Sequence, residues 1–242
     1  IRTLLDGGLL STFDAKHLHE KLSAVSGGRD RNDASTDIHL SWVSADRPDT
    51  LTESIASFAA NLRRYGHSPS IKVYDDSGDP KVQVDYQKRL VGLNKRMSVR
   101  ISYAGDEEKR RYINVLTEEV RPRGVDRQVV EFIFGLDSFP YTLGANRNAA
   151  LLDAAGERFV LHDDDAFCRL APSCGEEKRT VLRFSSEPHT YRTERFENLR
   201  ELYEQIETVD YDYLSLFGGL GSSLPEYLSR GFTSCETEGV IP

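Results

Sequence analysis

The chain has few cysteines, no basic excess and no long apolar run. Its three cysteines (Cys168, Cys174, Cys235) form an odd set without C-x-x-C spacing, so they read as core residues rather than disulfide staples. Lys and Arg number 31 against 39 Asp and Glu, a net charge of −8, which argues against a general nucleic-acid surface. That balance leaves a nucleotide ligand open, because a divalent metal supplies positive charge locally. No apolar stretch approaches the roughly 18 residues of a membrane helix, so no membrane span is expected. The opening "IRTLLDGGLLSTF" lacks the charged, apolar and small-residue succession of a secretory leader. Together with the cysteine usage, this gives a cytoplasmic setting as the expectation.

What is present suffices for one large domain or a domain with an appendage: 242 residues, 38 % of them apolar, can bury a sizeable core. Residues 1–36 read as an N-terminal extension with a polar Gly/Ser/Asp linker, "SGGRDRNDASTD". His17 and His19 lie two apart in a helical context, so they do not share a face and read as solvated. Order then begins. "IHLSWVSA" (38–45) is a strand pattern, and "DRPDTLTESIASFAANLRRYG" follows it as a helix capped by Asp46 or Asp49 and ended by Gly66. "SIKVYDD" (70–76) is a second strand closed by the turn residues "SGDP". A βαβ unit makes these strands parallel, with both C-terminal ends at one sheet edge.

Further along, "DYQKRLVGLNKRM" and "DEEKRRYINVLTEEV" read as helices around a third strand at 99–104, and "VDRQVVEFIFG" is ambiguous between helix and strand. "TLGANRNAALLDAAGE" (142–157) reads as a helix ending at Gly156, and "RFVLH" (158–162) as a short strand. "RTVLRF" (179–184), "TERFENLRELYEQIETV" (193–209) and a Gly-rich tail complete the chain as a strand, a helix and a loop. The fold class that follows is α/β, a mostly parallel, Rossmann-related sheet flanked by helices. Residues 37–185 are expected to form the main part of the chain and 186–242 a helical and Gly-rich segment after it.

The chemistry concentrates at "LHDDD" (161–165), where three acids leave the end of a strand. Neighbouring carboxylates repel unless a cation sits among them, and Mg²⁺ or Mn²⁺ takes one or two carboxylates plus substrate phosphates. On an extended segment Asp163 and Asp165 project to one side and Asp164 to the other. The bland alternative is a solvated acidic loop or a helix-capping cluster. Context weighs against it: Asp75 and Asp76 end a second strand on the same edge, and Ser44 to Arg47 end a first. Arg147, in "GANRN", stands ready for a phosphate or a carboxylate. Asn146 and Asn148 flank it, and either of them facing inward needs partners.

Taken in order, "SADRPD", "YDDSGD" and "GANRNAALLDAAGERFVLHDDD" resemble the nucleotide-binding half of a GT-A glycosyltransferase of the family 2 type, over roughly residues 38–170. The resemblance implies that Asp75 or Asp76 meets the nucleobase. It implies that Asp163 faces the ribose or the metal, that Asp165 ligates Mn²⁺ or Mg²⁺, and that Ser44 and Arg47 line the nucleotide pocket. Arg147 and Asp164 join the nucleotide-binding set. The tract departs from the family's pattern in having three acids rather than D-x-D with a neutral centre. The implied partners are a nucleotide-diphosphate sugar donor and an acceptor that is a saccharide, a peptide or a small molecule. An inverting reaction also needs a base to deprotonate that acceptor. Glu187 and His189 in "SSEPHT" are the first candidates, with Asp210, Asp212 and Glu226 behind them.

Rival readings are weaker on the same residues. A haloacid-dehalogenase-type phosphotransferase wants D-x-D-x-[TV] on an early strand, whereas Phe167 holds the fifth position here. A nucleotidyltransferase carries a Gly-rich loop after its first strand, which "SADRPD" is not. His162-Asp163 imitates an HD phosphohydrolase without that fold's spaced histidines. A non-catalytic nucleotide-sugar or metal-binding module is the alternative from another class.

Overall fold

The computed structural model describes residues 10–11, 38–135, 144–169, 181–183, 210–218 and 234–236. The chain divides between Cys168 and Arg169 into two compact units, and the boundary expected at 185/186 falls within the second. In the first unit five strands form one sheet: β1 Leu10–Ser11, β2 Ile38–Ser44, β3 Ser70–Asp75, β4 Arg100–Ala104 and β5 Arg158–Asp163. They lie in the order β1-β4-β3-β2-β5, and every pairing is parallel. This is the α/β, Rossmann-related sheet that the sequence pattern leads one to expect. Residues 10–11, within the N-terminal extension, add a short strand at one edge.

Among the described residues five α-helices lie between the strands: α1 Pro48–Arg64, α2 Pro80–Met97, α3 Asp106–Val120, α4 Arg127–Phe134 and α5 Ala145–Asp153. The crossovers through α1 and α2 run from β2 to β3 to β4. The crossover through α3, α4 and α5 runs back past them to β5. Right-handed connections in opposite directions put the two helix groups on opposite faces of the sheet. One face buries Tyr74, Ala104, Tyr112, Ile113, Leu116, Val130, Phe134, Ala149 and Ala150. On the other, α1 buries Leu51, Ile55, Phe58 and Leu62, and α2 buries Tyr86, Leu90 and Leu93.

On that second face Trp42 of β2 stacks on His162 of β5, with centroids 4.4 Å apart and planes 18° from parallel, and Phe58 closes the group. The indole N–H donates to Ser54 Oγ at 2.9 Å, and His162 Nδ1 lies 3.1 Å from the Ser41 carbonyl, so both polar edges are satisfied. The opposite face meets the Ala-rich α5, whose small residues leave room for a polar layer. Lys72 reaches Asp153 at 2.9 Å and Glu157 at 3.4 Å, and Tyr74 donates to Asp153 at 2.8 Å. This layer fastens the C-terminal end of α5 to β3.

Three local expectations are corrected or resolved. Neither Asp46 nor Asp49 caps α1; the cap position is Arg47, with no side-chain cap. Asp46 is bent into the left-handed region (φ +57) and spends its N–H on Ser77 Oγ at 2.8 Å, while Pro48 at the helix start has no N–H to satisfy. The ambiguous "VDRQVVEFIFG" is helix α4, capped by Asp126, whose side chain accepts from Gln128 N at 2.8 Å. The helix expected from 142 begins at Ala145, because Gly144 takes φ +93, which an L side chain rarely adopts.

In the second unit β6 Val181–Arg183 pairs in parallel with β7 Ser234–Glu236, and a short 3-10 helix, Tyr213–Phe217, is capped by Asp212. The helix expected at 193–209 lies outside the described residues, as do the base candidates Glu187, His189 and Glu226. No helix among the described residues is long and apolar enough to cross a membrane.

Candidate functional site

In the order β4-β3-β2-β5, the chain leaves β2 toward one edge and returns to β5 on its other side. The carboxyl ends of β2 and β5 therefore flank the crevice where an open α/β sheet presents its ligand site. An open cavity of about 380 Å³ lies there, a size suited to a small-molecule ligand. Its wall is built from Val43, Ser44, Ala45 and Arg47 after β2, from Asp76 after β3, and from Gly144, Asn146 and Arg147 at the start of α5. Asp163, Asp164 and Asp165 complete it at the end of β5. Seven residues singled out in the sequence thus meet at one place: Ser44, Arg47, Asp76, Arg147 and the three consecutive acids. Asp75 is not among the lining residues.

The end of β5 at Asp163 and the turn that follows at 164–165 sort the triple acid. Asp163 and Asp165 are exposed, whereas Asp164 is 1 % exposed and faces the β2 side. A directed chain of hydrogen bonds holds it. The Asp164 carboxylate can only accept, so Ser44 Oγ donates to its Oδ2 at 2.7 Å. Ser44 Oγ must then accept from the Tyr86 hydroxyl at 2.6 Å, and that hydroxyl accepts from the Arg47 N–H at 2.8 Å. Burial raises the Tyr86 phenol above its ordinary range, against the pull of these two hydrogen bonds, so it stays a neutral link.

Each acid also meets an arginine. Arg147 Nη2 lies 2.5 Å from Asp163 Oδ1, and Arg47 reaches Asp164 Oδ1 at 2.7 Å and Asp165 Oδ2 at 3.5 Å. The contact to Asp164 Oδ1 has ion-pair distance without hydrogen-bond alignment, so that buried oxygen has no hydrogen bond among the described residues. Asp164 lines the cavity beside Arg47.

Asp75 and Asp76 part company. The Asp75 carboxylate points inward, accepting from Ser77 N at 2.9 Å, Ser77 Oγ at 2.5 Å and the Tyr103 hydroxyl at 2.6 Å. Burial raises its pKa above the usual carboxylate value, against the pull of those donors. Gly105 is part of that arrangement: a Cβ there would stand 2.7 Å from the Tyr103 hydroxyl. Asp76 stays half-buried on the cavity wall, paired with Lys109 Nζ at 3.2 Å.

Lys109 and Asn146 complete the support behind the cavity. The Lys109 ammonium, 2 % exposed, has three donors and three acceptors: the Asp75 carbonyl at 2.7 Å, Asp76 Oδ1 at 3.2 Å and Asn146 Oδ1 at 2.5 Å. Burial lowers its pKa, opposed by Asp76. Asn146 in turn donates to the Ser44 carbonyl at 3.0 Å and the Tyr74 carbonyl at 2.9 Å, pinning α5 to the ends of β2 and β3. Asn148 turns outward and holds the Ile133 carbonyl at 3.0 Å.

Sequence reading passed over Lys109, Tyr86, Ser77 and Tyr103. Two of them carried a signal. Lys109 stands in phase with Tyr112, Ile113 and Leu116, so a charge sat on an apolar stripe, and Tyr86 shares the stripe of Leu90 and Leu93.

Among the described residues no group of three or more His, Cys, Asp and Glu side chains is gathered as a ready-made cation cage. The donors present are nevertheless of the type that suits Mg²⁺ or Mn²⁺, which needs only one or two carboxylates when phosphates supply the rest. Compared with family models, with curated proteins and with solved structures, the chain matches none.

Proposed function

We propose that this chain is a metal-dependent glycosyltransferase that moves a sugar from a nucleotide-diphosphate sugar to an acceptor. One observation carries the reading. Ser44, Arg47, Asp76, Arg147 and Asp163 to Asp165, drawn from three strand ends and one helix start, line a single cavity at the switch point of a parallel sheet. Such a place suits a nucleotide, and the mixture of acids and arginines suits a nucleotide that arrives with a divalent cation.

In this reading Asp163 and Asp165, exposed at the rim, hold Mn²⁺ or Mg²⁺, and Asp164 is fixed by Ser44 as the inner wall of the same subsite. The cation, when bound, stabilises the negative charge that builds on the departing diphosphate. Arg47 and Arg147 give planar, multidentate donors to phosphate oxygens. Asp76 offers a carboxylate to a base N–H or a ribose hydroxyl. Asp75 sets the turn that carries it, through its bonds to Ser77 and Tyr103. An inverting reaction would also need a base for the acceptor, for which Glu187 and His189, outside the described residues, are the sequence candidates.

The test combines melting curves with a turnover assay on a panel of uridine, guanosine, adenosine and thymidine diphosphate sugars, each with and without Mn²⁺. The expected result is a melting shift that needs Mn²⁺ and release of the matching nucleoside diphosphate. A shift without release reduces the protein to a binding module, and no shift with any donor ends the proposal.

A further inference from the structure

We infer that Arg47 and Arg147 are exchange groups that make cation and diphosphate bind cooperatively, an inference that rests on the function proposed above. Both guanidiniums are spent on the acids. Arg147 sits on Asp163 at 2.5 Å, and Arg47 bridges Asp164 at 2.7 Å and Asp165 at 3.5 Å. The wall carries four carboxylates (Asp76, Asp163, Asp164, Asp165) and two guanidiniums, with the Lys109 ammonium behind, a formal balance of −4 + 3 = −1. A lone cation therefore meets arginines standing on its ligands, and a lone diphosphate meets carboxylates. Each ligand alone faces an obstacle of its own sign.

Together they remove each other's obstacle. A cation on the acids frees both guanidiniums, and a diphosphate takes them up as bidentate donors. The exchange is cheap because both arginine side chains are more than half exposed, at 54 % and 56 %, and exposed ion pairs contribute little. A buried acceptor lies at the same spot. Asp164, 1 % exposed, keeps Oδ1 without a hydrogen bond among the described residues, although Arg47 stands at ion-pair distance. The carboxylate is held in place by the bond from Ser44 to Oδ2, and Asp164 lines the cavity. By linkage the coupling is reciprocal: the factor by which the cation tightens the diphosphate is the factor by which the diphosphate tightens the cation.

The consequence that separates this device from two ordinary phosphate-binding arginines is a change of opposite sign. Removing either arginine takes a competitor off the acids, so Mn²⁺ alone binds tighter, while nucleoside diphosphate in the presence of Mn²⁺ binds weaker. Titration of Mn²⁺ alone into the full chain and into Arg47→Gln and Arg147→Gln, followed by calorimetry, reads the first effect. Titration of UDP, GDP, ADP and dTDP at saturating Mn²⁺ reads the second. The expected changes are on the order of threefold to tenfold tighter for Mn²⁺ and about tenfold or more weaker for the diphosphate that the parent prefers. Arg89→Gln serves as the charge control. Its guanidinium is paired with Asp49 and Asp85 and does not line the cavity, so it is expected to leave both affinities at the parent values. Mn²⁺ affinity that is unchanged or weaker in both cavity variants, or raised equally in Arg89→Gln, overturns the exchange while leaving the proposed function standing. A parent chain that binds neither Mn²⁺ nor any of the four diphosphates overturns the function and the exchange with it.

Discussion

At the scale of residues, the strand end at Asp163 and the turn at 164–165 give each acid different surroundings, and these decide what it can do. Asp164 is buried and tied to Ser44, so its surroundings are set before any ligand arrives, whereas Asp165 stands in solvent with one long ion pair. Substitutions should separate the two. Ser44→Ala leaves Asp164 Oδ2 and the Tyr86 hydroxyl without their partner in a buried place, and should cost about 1–3 kcal/mol of stability. Asp165→Asn should fall within about 0.5 kcal/mol of the parent, as surface changes do, while weakening the Mn²⁺-dependent melting shift. Urea unfolding of both variants checks the pair. A large loss in Asp165→Asn would make that acid structural.

At the scale of elements, the joint between β2, β5 and α1 carries the His162 ring, clamped between Trp42 and Phe58. Burial lowers the pKa of this imidazole, against the hydrogen bond to Ser41 and the charge of Asp163. A histidine whose folded pKa lies below its unfolded value stabilises the fold fully above about pH 6.5, and that contribution is lost as pH falls through the folded value. Asp75 acts in the other direction. Its raised carboxyl pKa contributes stability at low pH that is lost as pH rises through the folded value. Comparing the parent with His162→Phe cancels the Asp75 effect and keeps the aromatic packing. Between about pH 7.5 and 5, the parent should lose more stability than the variant. Equal slopes in urea unfolding across that range would show that His162 is not the titrating group.

At the scale of the whole molecule, the cavity and its supports lie before residue 169, in the first of the two compact units. The end of that unit is tied down locally. Ser54 Oγ donates to the Ala166 carbonyl, and the Cys168 N–H donates to Ser57 Oγ at 2.9 Å, so the chain after the acids is held against α1. A chain ending at Cys168 should therefore keep a cooperative unfolding transition and the Mn²⁺-dependent diphosphate binding. It should lose transfer if the base comes from Glu187 or His189. Circular dichroism melting and the calorimetric titrations described above check both parts. A truncated chain that fails to fold would show that the second unit is needed for stability.

Short, mostly apolar runs at 38–44, 70–75 and 158–163, and the 3.6-residue recurrence between them, suffice for a parallel α/β sheet with acids at one edge. These are local signals, and the sequence by itself determined that much; the burial of Asp164 depends instead on the turn at 164–165 and on Ser44 across the sheet. Other features depend on what lies across a gap that no local pattern records. "YDD" does not say that Asp75 turns inward, because that follows from Ser77 and from Tyr103 on the next strand. "EEKRRY" does not say that Lys109 is buried, because its three acceptors come from the end of β3 and from α5, up to 37 residues away. "DDD" does not say that arginines occupy the acids, because Arg47 and Arg147 reach them only when β2 and α5 stand beside the end of β5. Periodicity fixes which face a side chain takes; only tertiary structure decided which charges share that face, because electrostatic partners are chosen by distance in space.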